Sequence, residues 1–132
     1  MKKIFLAVLF LAFSTTANAF TGADLLAQCK NFVQILDGGK PELQKTLEAG
    51  LCGGYVLGVQ DGFLASSELT DIISKEEGIE SVARNYWNIP EETESETVVK
   101  IVVRYLELHP EMHNEPAVLS VINALRQTYP VK

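Results

Sequence analysis

The sequence predicts an all-α fold, a compact bundle of four to six helices tied by one disulfide. Three observations lead there. Apolar residues recur every three or four positions through most of the chain, the period of a helix face. Start and stop signals (Thr21, Asp37-Gly38-Gly39, Pro41, Pro110, Pro130) fall between those stretches. Two cysteines, Cys29 and Cys52, follow an N-terminal export signal. An even cysteine count in an oxidising compartment points to a disulfide.

The export signal occupies residues 1–19. Lys2 and Lys3 form a positive start, Ile4 to Phe13 an apolar run, and Ala17-Asn18-Ala19 a small-residue cleavage site. That run is too short to cross a bilayer, which takes about 20 residues. Cleavage after Ala19 is expected to release residues 20–132, enough chain for one domain. The released part keeps nine basic and seventeen acidic residues, a formal charge of −8. Such a charge disfavours nucleic acid and anionic lipid as partners. It suits a basic protein surface, or plain solubility.

Thr21 can cap a first helix whose Leu25, Cys29, Phe32 and Leu36 share one face. Asp37-Gly38-Gly39 ends it, and Pro41 suits the opening of a second helix from about Glu42 to Ala65. On that helix Gly50, Gly54, Gly58 and Gly62 recur every fourth residue. Glycine costs a helix interior up to about 1 kcal/mol relative to alanine, so four on one face call for a packing reason. Close approach of another helix is the simplest one, within the chain or in a homodimer. A phosphate-binding loop would need a preceding strand and a lysine, and both are absent. Ser66 to Ile89 reads as one short helix or two, and Tyr86 to Pro90 as an extended or turn stretch rich in aromatic surface.

Thr93-Glu94-Ser95-Glu96 fits a capping box for the next helix. Val98, Val102, Tyr105 and Leu106 carry its core face, widened by Val99, Ile101 and Val103, so this helix should be central. It ends at His109-Pro110. Asn114 can cap the last helix, with Val118, Val121, Ile122, Leu125 and Tyr129 as its stripe.

Few residues invite chemistry. His109 and His113 stand four apart, but Pro110 between them makes the segment a turn with a capping role rather than a zinc site. Asp61, on the glycine-bearing helix, is expected to be partly buried and to bridge a neighbouring helix. No serine sits in a nucleophile elbow, and no acidic pair is set at a hydrolase spacing. Neither an enzyme nor a cofactor is implied. Trp87 reads first as a core plug and second as a binding anchor.

Taken in order, several groups of residues resemble the Rap/Tai immunity proteins. They are Leu25-Leu26-x-x-Cys29, Cys52-Gly53-Gly54-Tyr55-x-x-Gly58-x-x-Asp61, Val102-Val103-x-Tyr105-Leu106-x-x-His109-Pro110-Glu111, and Pro116-Ala117 through Ala124-Leu125 to Tyr129-Pro130. The likeness covers nearly the whole released chain. It implies a helical periplasmic protein that binds a type VI-secreted peptidoglycan amidase and occludes its cleft, without catalysis. A second cysteine pair common in that family is absent: Asn88-Ile89-Pro90 and Pro130-Val131 stand in its place. On this reading Tyr86, Trp87, Glu91, Glu92, Glu94 and Glu96 form the partner-binding patch, aromatic anchors beside a charged rim. A periplasmic chaperone of the acid-stress type, or a family member that binds another periplasmic protein, is the competing expectation.

Overall fold

The computed structural model describes residues 19–78 and 86–131. Residues 1–18, which hold most of the expected leader, lie outside the described part, as do 79–85. Among the described residues there are four α-helices: α1 Gly22–Leu36, α2 Leu43–Glu77, α3 Ser95–Leu108 and α4 Ala117–Thr128. A 3-10 turn, Pro110–Asn114, links α3 to α4. Among the described residues there is no strand, only an isolated bridge between Thr21 and Pro116.

The start of α1 follows from two side chains. Thr21 Oγ1 accepts from the Asp24 backbone N–H, and the Asp24 carboxylate accepts from the Thr21 N–H at 3.0 Å and from its hydroxyl at 2.7 Å. These bonds hold the Asp24 carboxyl below its ordinary value, because each favours the charged form. The helix ends where Gly38 takes a φ of 86°, a left-handed conformation that glycine adopts without strain. Cys29 of α1 and Cys52 of α2 are then joined, with sulfurs 2.05 Å apart. Asn31 adds a second tie between these helices by donating to the Glu48 carboxylate at 2.9 Å.

Around this pair the core closes. α1 contributes Leu25 and Leu26, α2 Val56, α3 Val98, Val99, Val102, Val103 and Leu106, and α4 Val121 and Leu125. The central position expected for α3 is met. Its capping box is not. Thr93 spends its N–H on the Pro90 carbonyl in a turn, so Glu94 becomes the N-cap and makes no side-chain cap bond. Asn114 does not cap α4 either; it closes the 3-10 turn, and Pro116 is the N-cap. Backbone bonds from Gly22 to Glu115 and from Ala117 to Phe20, both 2.9 Å, set that junction. The approach is tight at Gly22, where an added Cβ would lie 2.3 Å from the Met112 carbonyl oxygen.

The second helix departs most from expectation. It runs to Glu77, well past Ala65, and stops at Gly78 with φ 66°. Residues 66–77 therefore extend α2 rather than form separate short helices. Gly50, Gly54, Gly58 and Gly62 do line one face, but that face is open: a Cβ built on any of the four meets nothing within 4 Å. Among the described residues they mediate no close helix contact. The glycine that does is Gly53, one residue off the stripe and buried, where an added Cβ would lie 3.1 Å from the Phe32 ring. Asp61 shares the open face and is exposed, so it bridges no neighbouring helix. A direct consequence is that Gly50→Ala raises monomer stability by about 0.5–1 kcal/mol through helix propensity alone. The urea midpoint measures this, and a loss would show that Gly50 needs its missing side chain.

Candidate functional site

Polar and aromatic side chains gather where the chain returns from α2 to α3. Residues 86–90 are extended, as expected. The Asn88 N–H donates to the Tyr129 carbonyl at 3.0 Å, which pins this segment to the end of α4. Alternation then decides which side chains turn inward. Trp87 and Ile89 are half-buried against the core, while Tyr86 stays 44 % exposed. Phe63 of α2 completes the cluster, with ring centroids 5.0 Å from Tyr86 and 5.4 Å from Trp87. Its edge-on contact with Tyr86, at 82°, is a favoured geometry for aromatic pairs.

Downstream of the aromatic cluster, Glu91, Glu92, Glu94 and Glu96 are all exposed. None pairs with a cation among the described residues. The expected patch residues thus lie along one continuous stretch: an aromatic platform anchored from beneath, then four solvated carboxylates. Phe63 is the member that sequence reading missed. Its signal was its place one turn beyond Val59 and two beyond Val56 on the core side of α2.

A second concavity, about 340 Å³, opens between α3 and the end of α4 and is lined by Arg104, Tyr105, His109 and Gln127 among others. Tyr105 and His109 stack there at 4.2 Å. His109 Nδ1 donates to the Glu111 carboxylate at 2.7 Å, and this bond holds the Glu111 carboxyl below its ordinary value. His113 Nε2 donates to the Leu106 carbonyl at 2.9 Å, satisfying a C-terminal acceptor of α3. The pair therefore acts in a capped turn, the role its spacing around Pro110 implied. Cys29 and Cys52 are fully buried and bonded to each other, so neither offers a thiol for nucleophilic chemistry. What the described surface offers a partner is shape, aromatic area and negative charge.

Residues 21–131 match the family model of the Rap1a immunity proteins. No curated protein and no solved structure shows significant similarity to the chain. The match spans all four helices, the 3-10 turn and both bonded cysteines, and the chain therefore belongs to the Rap1a immunity protein family.

Proposed function

We propose that the protein is exported to the periplasm, where it neutralises a type VI-secreted peptidoglycan amidase by docking over its active-site cleft. It performs no catalysis. Family membership is the observation that carries this reading, because immunity proteins act by binding a toxin. The leader pattern and the buried disulfide support the compartment.

The docking surface in this proposal is the stretch from Tyr86 to Glu96. A preformed surface on a cross-linked helical body loses little conformational entropy on binding. Tyr86 supplies the exposed aromatic anchor, with Trp87 and Phe63 as its support, and the four glutamates steer a basic cleft rim towards it. The test is calorimetric titration of a type VI amidase with the parent protein, with Tyr86→Ala, and with Glu91 and Glu92 both changed to Lys. A central aromatic anchor is worth about 2 kcal/mol, so Tyr86→Ala weakens binding roughly thirtyfold. The charge reversal acts mainly by slowing association at low salt. Unchanged affinity in both variants, with melting curves intact, rejects this surface. Suppression of aggregation of unrelated clients at low pH, without amidase binding, would favour the chaperone reading instead.

A further inference from the structure

We infer that the hollow between the ends of α3 and α4 is a binding site for a short peptide with a free terminal carboxylate, which pairs with Arg104. The inference does not rest on the proposed function, since different residues form the site. The sequence of α3 makes one wall. Ile101, Arg104, Tyr105 and Leu108 stand at i, i+3, i+4 and i+7, so they share one face of the helix. That face borders the one that Val98, Val102 and Leu106 turn to the core. Together with Gln127 and Thr128 in the last turn of α4, it walls the hollow of about 340 Å³. The volume lies at the small end of the range for ligand pockets, roughly 300–1,000 Å³, and suits a dipeptide.

Charge at this place runs against the rest of the molecule. The chain holds seventeen acidic residues, yet none of them lines the hollow. The two nearest along the sequence are already engaged. Glu107 reaches across to Lys30 at 3.7 Å, and Glu111 accepts from His109 at 2.7 Å. Arg104, and Lys100 one turn before it, enter no ion pair among the described residues. An exposed guanidinium left in this way presents a planar fork of donors, the shape that matches a carboxylate.

The other walls say what the carboxylate is attached to. Tyr105 and His109 stack at 4.2 Å with 27° between their planes, which gives a flat aromatic floor. Leu108 stands beside it, 66 % exposed. An apolar side chain next to the carboxylate gains contact with both. The side chains of Gln127 and Thr128 make no hydrogen bond among the described residues and are free to bind an amide. Both helices also end here, and the last carbonyls of a helix lack intrahelical donors and form the negative end of its dipole. Those carbonyls repel a bare anion such as phosphate. A peptide brings N–H groups of its own to them while its carboxylate goes to Arg104.

The test is titration of the isotope-labelled, oxidised protein with N-acetyl-alanyl-phenylalanine, followed by the backbone amide resonances. Its C-terminal amide and inorganic phosphate are the comparisons. The resonances of 104–109 and 127–128 should move, with a Kd of roughly 0.1–1 mM for so small a ligand. The amide form should bind at least about tenfold more weakly, and so should the acid to Arg104→Gln. Leu108→Ala should weaken it about fivefold. Arg104 is exposed and without an ion pair, so its variant should melt like the parent. Equal binding of acid and amide, equal binding of phosphate, parent-like binding by Arg104→Gln, or no shift up to about 10 mM would each overturn the site. Absent peptide binding with a loss of amidase affinity in Arg104→Gln would also overturn it, assign Arg104 to the toxin and leave the immunity reading standing. The expected peptide binding in a protein that binds no amidase would uphold the site and reject that reading.

Discussion

Removing the Cys29–Cys52 bond, by changing both residues to alanine, should cost about 3 kcal/mol of unfolding free energy. The bond closes a loop with a sequence separation of 23, and loops of that size are expensive to leave open in the unfolded chain. Both sulfurs are fully buried in the core cluster, so their loss also removes packing between α1 and α2. For a domain whose whole stability is about 5–15 kcal/mol, the effect is large. Urea unfolding of the oxidised parent, the reduced parent and the double variant measures it. Superimposable curves would show that Asn31–Glu48 and core packing alone hold α1 to α2. On the proposed function the consequence extends to binding, since a stiff body would present the 86–96 segment preformed.

Leu106→Ala is expected to cost about 2–5 kcal/mol, the range for truncating a buried leucine when its surroundings cannot collapse. Leu106 is fully buried where α3 meets α1 and the 3-10 turn, with its Cδ2 3.1 Å from where a Cβ on Gly22 would stand. Its carbonyl is held by His113, so the backbone stays in place and a cavity remains. Leu108, two residues later and 66 % exposed, is the control: Leu108→Ala should stay within about 0.5 kcal/mol. Thermal melts followed by circular dichroism separate the two. Equal losses would mean that α3 is not the central helix.

How much could be read in advance differs element by element. For α1 the cap at Thr21 and the face through Leu25 and Cys29 were legible, because both are local: a short-range hydrogen bond and a 3.6-residue period. The same local logic failed at Thr93, whose hydroxyl fits a capping box in sequence but whose N–H is already used by Pro90. It failed again at Asn114, because the start of α4 is set by Phe20 and Glu115 backbone groups from opposite ends of the chain. In the candidate site, Tyr86, Trp87 and the glutamates were visible as a run. Phe63 was not, since only the return of the chain onto α2 brings its ring under Tyr86.

By itself the sequence determined the helical class, the single bonded cysteine pair, the central place of α3 and the family, all of which follow from periodicity, residue identity and order along the chain. Tertiary structure alone decided the length of α2 and which of its faces is covered. The glycine row shows why. Spacing places four glycines on one side of a helix, but whether that side meets a neighbour depends on how α2 is rotated about its axis. That rotation is set by Cys52 bonding to Cys29 and by Val56 entering the core, and it turns Gly53 inward and the row outward.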